Sequence, residues 1–201
     1  MFEIAFNESA LNRTLAQAES EIRFAASMAL TTTAKDAQAE VRKQLPQRFM
    51  IRTGWVAKGI HVRAANKRDL QSSVRVLDPF MALQESGGSK IGQFGKDLGV
   101  PVGARPTPTA ITRPGSFPGA MLQRKGHFIA PIRKGSNVKG VWRRTGKGRR
   151  ERIKLMYVFS RQVRLKPRFG FHETVRQVAL QNFPRRFAEA VQKVLTTARV
   201  R

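Results

Sequence analysis

The chain has 201 residues, 41% of them hydrophobic, which is enough for a buried core. Its 38 Lys and Arg against 13 Asp and Glu give a net charge of +25, a field that attracts polyanions and resists close approach of copies of itself. The absence of cysteine excludes disulfide frameworks and thiolate metal sites, and no apolar run nears the roughly 18 residues that span a bilayer, so no membrane partner is predicted.

In chain order, Phe2, Ile4 and Phe6 alternate with Glu3 and Ala5, the period of a short half-buried strand. The N-terminal stretch lacks the basic region and apolar core of a secretory signal. Asn7 offers a helix cap and Glu8 suits the positive end of a helix. Leu11, Leu15, Ala18, Ile22, Ala25 and Ala29 recur at spacings of four and three, and Pro46 is predicted to stop the helix after Leu45. Such a helix is about 57 Å long, too long for the core of one small domain. A break near Thr31 to Thr33 is the favoured explanation, and packing on another subunit is the other.

A short helix capped by Thr53 is predicted next, then two strands around a turn at Asn66 to Asp69. From Gly87 to Gly119 the chain is dense in Gly, Pro and Ser, which reads as a long loop ordered by a partner, with Ser86 to Pro114 docking on a neighbouring protein. Strands are predicted at 127–133, 138–144 and 152–163, with Ile153, Leu155, Tyr157 and Phe159 alternating on one face. Gly146 and Gly148 then make a hairpin tip. The C-terminal part reads as two helical segments joined at Pro184, with Phe187, Val191, Val194, Leu195 and Ala198 on one face. The fold class is α+β: one domain over 1–201, with a small antiparallel sheet flanked by an N-terminal strand and long helix (1–46) and the C-terminal helices (171–201). An extended loop (86–119) and a basic β-hairpin region (120–168) lie between them.

The charge is not evenly spread. Residues 1–46 hold six acids and five bases, a net of minus one, so the excess lies beyond them. From Met121 to Arg168 there are 16 bases and a single acid, Glu151. Arg143, Arg144, Lys147, Arg149, Arg150 and Arg152 at the hairpin are the predicted polyanion-facing or DNA-facing residues. A solvated face is the bland reading, but such density repels itself unless counter-charge arrives. Arginine in excess of lysine suits bidentate contact with phosphate or carboxylate. No helix-turn-helix or aromatic RNA-binding pattern is present, which favours sequence-independent contact.

Enzyme-like motifs fail on spacing. Five residues separate Gly140 from Gly146, where a Walker A loop needs four, and Gly148 follows Lys147 where Ser or Thr belongs. His172 has Arg176, not a second histidine, four residues on, and His61 and His127 are distant in sequence. No Gly-x-Ser-x-Gly elbow and no close carboxylate pair is found. No catalytic residue, cofactor or metal is predicted.

The order of an alanine-rich helix, a Trp-containing segment, a Gly/Pro loop, Pro118-Gly119-Ala120-Met121, the strand around His127 to Ile132, the run from Lys154 and Leu155 through Pro167 to Phe171, and a closing helix resembles the minor tail protein Z family, the tail completion proteins of lambda-like long-tailed phages. The long first helix and the insertion from Ser86 to Pro114 match this pattern least. The resemblance implies a structural virion protein at the head-proximal end of the tail, made in the bacterial cytoplasm. It would assemble as a homo-oligomer, a hexameric ring following tail symmetry, beside the tail terminator and the head-to-tail connector, with threaded genomic DNA or acidic neighbours against its basic surface. Phe2, Ile4, Phe6, Phe187, Val191 and Leu195 are then the predicted subunit-interface residues. The rival reading is a stand-alone, sequence-independent nucleic-acid-binding protein.

Overall fold

A computed structural model describes residues 8–51, 53–92, 96–107, 110–146 and 148–198; Phe2, Ile4, Phe6 and Lys147 lie outside them. The fold is α+β, with long N- and C-terminal helices and small antiparallel sheets. The chain divides into two compact units, residues 1–47, 54–79 and 170–201 (unit 1) and residues 48–53 and 80–169 (unit 2). The division has a physical reason: the two long helices bury their apolar faces on each other, and the strands between them build a separate core.

In unit 1, α1 (Glu8–Arg48) runs unbroken through Thr31 to Thr33. Ser27 donates to the Phe24 carbonyl and Thr32 to the Met28 carbonyl, Thr31 accepts from the Ala65 N–H, and the buried Thr33 hydroxyl has no hydrogen-bond partner among the described residues. Pro46 lies inside the last turn, so α1 ends after it, at Arg48, rather than before it. The helix is about 61 Å long at 1.5 Å per residue. Its buried stripe, Ala25, Ala29, Ala37, Val41 and Leu45, keeps multiples of four, but Leu15 (58% exposed) and Ile22 (56%) are uncovered within the chain.

Helix α5 (Phe171–Ala198) is also continuous, with Pro184 inside it, and lies antiparallel to α1. Thr174 bonds Gln44, and Asp36 accepts from Asn182 on one side of the proline and from Arg186 on the other, which clamps the helix across the lost backbone bond. Ala25, Ala29 and Ala190 form the buried centre, flanked by Met28, Phe183, Phe187, Val191 and Val194. The short α2 (Trp55–Lys58) is preceded by Gly54, not capped by Thr53. Strands β1 (Ile60–Arg63) and β2 (Ser73–Val76) pair antiparallel, and the Asn66 side chain accepts from the N–H groups of Arg68 and Asp69 at the predicted turn. Gln38 and Arg42 of α1 donate to the Ile60 carbonyl, which fixes β1 on the helix.

In unit 2, after residues 48–53, the first element is α3 (Pro79–Ser86), whose leading Pro79 belongs to unit 1. The Gly/Pro segment that reads as a loop contains two strands, β3 (Gly88–Ile91) and β4 (Leu98–Pro101), each held by a strand far along the chain. After a 3-10 turn at Pro114–Ser116 comes α4 (Pro118–Leu122), followed by β5 (His127–Pro131), β6 (Lys139–Thr145), β7 (Arg152–Ser160) and β8 (Gln162–Leu165). The predicted last strand is thus two: β7 joins a four-stranded sheet ordered β4-β7-β6-β5, and β8 pairs with β3 alone. Met121, Val141, Met156 and Tyr157 form the core of this unit, with Ala104, Leu122 and Phe159 against it. The Tyr157 hydroxyl donates to the Ser116 carbonyl at 2.8 Å, tying the 3-10 turn to the sheet. Burial raises the Tyr157 pKa above its ordinary value of 10.0.

Candidate polyanion-binding site

The cations of the sequence motif stand on the β6–β7 hairpin, and its register decides which of them share a face. Gly146 (φ +93°) and Gly148 (φ +56°) supply the left-handed backbone of the tip, followed by a 3-10 turn at Gly148–Arg150. Across the strands Arg143 is opposite Lys154, Arg144 opposite Ile153 and Thr145 opposite Arg152. Residues directly opposite in an antiparallel pair leave the same face, and neighbours along a strand leave opposite ones. Arg143, Lys154 and Arg152 therefore share one face, and Arg144 and Ile153 share the other.

The register shifts at Val141/Trp142: Leu155 is opposite Trp142, but Tyr157 is opposite Val141. This bulge overturns the predicted clean alternation. Ile153 and Leu155 lie on one face, Tyr157 and Phe159 on the other, and Ile153 is 59% exposed. Close packing at the bulge explains Gly140, where a Cβ would meet the Tyr157 carbonyl oxygen at 2.5 Å.

The two faces use their cations differently. Arg144 bonds Glu151 at 3.2 Å, and its guanidinium lies 5.2 Å from the Phe128 ring centre. The only acid between Met121 and Arg168 is thus used on Arg144. On the opposite face Arg143, Arg152 and Lys154 are exposed and have no side-chain partner among the described residues. Arg143 and Lys154 are like charges directly opposed, an arrangement that destabilises a sheet unless an anion lies over it. His127, opposite Arg143 on β5, extends the row, and its Nδ1 is buried with no hydrogen-bond partner. Arg150 is exposed in the turn, and the side chain of Arg149 lies outside the described residues.

Lys154 is the residue missing from the predicted set. It lies outside the arginine run, and only the register shows that it faces Arg143. Conversely, Arg144 looked equivalent to its neighbours in sequence but is held by its own chain.

The predicted interface residues fare unequally. Phe187 and Val191 are half-buried against α1 in the chain's own core, leaving less of each for a second subunit. Leu195 is 54% exposed and lines an apolar groove with Ala18, Ile22, Ala25, Val191 and Val194. His61, His127 and His172 form no metal-holding group with acids among the described residues. No helix among the described residues is long and apolar enough to cross a membrane. Comparison of the chain with family models, with curated proteins and with solved structures gives no match in any of the three.

Proposed function

We propose that this chain is a non-catalytic structural protein of a phage virion that completes the head-proximal end of the tail and supports its joining to the head. In this reading unit 2 presents its cations to a polyanion, and copies of the chain assemble as a hexameric ring beside the tail terminator and the head-to-tail connector. The family resemblance suggests the place in the virion. The observation that carries the binding role is charge segregation: unit 2 holds 22 Lys and Arg against three acids, Glu85, Asp97 and Glu151, a net of +19. Even with every acid paired, 19 cations have no counter-charge from their own unit, and a fold tolerates this when a partner supplies it.

The same segregation favours a second reading, a stand-alone nucleic-acid-binding protein, and location separates the two. Mass spectrometry of purified particles should find the chain in joined particles and in free tails. Disrupting its reading frame in the producing phage should leave filled heads and unjoined tails. Its absence from particles, or normal joining without it, refutes the virion reading.

A further inference from the structure

We infer that the basic hairpin binds the phosphate backbone of duplex DNA through one face only, the face of Arg143, Arg152 and Lys154, without reading sequence. This rests on the reading that unit 2 meets a polyanion, and it identifies the polyanion and the face. Three observations support it.

The first is the composition of the face. At the centre of a protein–protein contact, apolar and aromatic anchors predominate and charges move to the rim. Here the centre is cationic: Arg143 and Lys154 are directly opposed, with Arg152 two residues along the strand. The apolar groups of the tip, Ile153 with Trp142, Leu155 and Phe128, belong to the other face. On the cation face the exposed apolar side chain is Ile129, beyond His127 on β5, so an acidic protein would find an anchor only at the edge of the cations, whereas a phosphodiester backbone requires only cations.

The second is the absence of an adenine reader, which leaves guanine, through Arg or Lys, as the one base this face could contact directly. The hydroxyl on this face, Thr145 Oγ1, donates to the Arg152 carbonyl, and no Asn or Gln stands among residues 143–145 and 152–154 to pair with adenine. The third is cost. Two opposed cations on a rigid sheet repel each other in the free protein, and an anion lying over both removes that repulsion. Arg144 offers no such gain, because Glu151 already neutralises it.

The test is fluorescence anisotropy of the full chain with two labelled duplexes of about 25 base pairs and unrelated sequence, titrated between 50 and 200 mM NaCl. Equal binding of both duplexes is expected. The slope of log K against log salt should fall by about two in Arg143→Gln with Lys154→Gln, since each phosphate contact contributes about 0.9. It should be unchanged in Arg144→Gln, and it should be retained in Arg143→Lys with Lys154→Arg. All three positions are exposed, and thermal melting checks that each variant folds. Equal losses in Arg144→Gln and in the double variant overturn the assignment of a face. Binding to polyglutamate but not to duplex overturns DNA as the ligand, and a tenfold preference between the duplexes overturns sequence independence. Failure here leaves the virion proposal standing if the chain is found in particles, and absence from particles leaves the DNA contact standing if the duplex titration holds.

Discussion

Unit 1 and unit 2 treat arginine in opposite ways. In unit 1, Arg186 donates to both oxygens of Asp36 and also reaches Glu189, while Arg63 pairs with Asp69, Arg23 with Glu19 and Arg185 with Glu189. Ten acids serve its 16 bases, and the Arg186–Asp36 pair lies where α5 meets α1, so charge there positions helices. In unit 2 the strands are held by backbone pairing and by the core around Val141 and Tyr157, and most cations have no acid in their unit. The difference teaches that net charge alone says little: cations bonded to acids are internal structure, and those without such partners are available for binding.

This contrast can be broken at several points. The largest effect should be ionic: if unit 2 contacts six or more phosphates, duplex affinity falls by about 10³ or more between 50 and 200 mM salt, and a flat titration breaks the comparison. Next is Leu45→Ala, which opens a cavity at a side chain only 1% exposed and should cost about 3 kcal/mol in urea unfolding without changing the salt slope. Leu195→Glu, on an exposed position, should change stability by less than about 0.5 kcal/mol yet shift any ring to smaller species in light scattering. A ring unaffected by this change places the subunit contact elsewhere.

Two smaller effects concern pH. Because burial raises the Tyr157 pKa, the folded state favours the protonated phenol. That contribution is complete below about pH 10 and is lost as pH rises through the raised folded value. Tyr157→Phe should remove this alkaline loss and cost about 1 kcal/mol for the bond to Ser116, read from melting curves at pH 8 and pH 11. For Asp36 the sign is reversed. The Arg186 hydrogen bond, first among its causes, lowers its pKa below 3.8, so its contribution is present above that value and is lost as pH falls through the folded one. Asp36→Asn should flatten the acid limb of the melting temperature and leave duplex binding unchanged.

Local signals were legible in the sequence and long-range ones were not. Asn66 and the Gly146/Gly148 pair mark their turns because turn chemistry resides in those residues. Pro46 and Pro184 misled, since the proline rule counts one lost backbone bond and cannot see Asp36 bonding on both sides of Pro184. The stretch from Gly87 to Gly119 reads as loop because β3 and β4 owe their order to β8 and β7, more than 50 residues on. At the site, the positive charge is plain in the sequence, but its division into two faces depends on the register of β6 against β7, and a one-residue shift of register is invisible to composition. The α1 stripe keeps the period legible in the sequence, yet among the described side chains its cover within the chain starts at Ala25.

The central claim is that the unbalanced cations of unit 2, and not the net charge of +25, carry the function. Two variants of equal net charge test it most directly: Arg143, Arg152 and Lys154 to Gln in unit 2, and the exposed Lys58, Arg68 and Arg176 to Gln in unit 1. In duplex titrations the first should lower the salt slope by about three and the second should leave it unchanged. Equal losses in both would contradict the account.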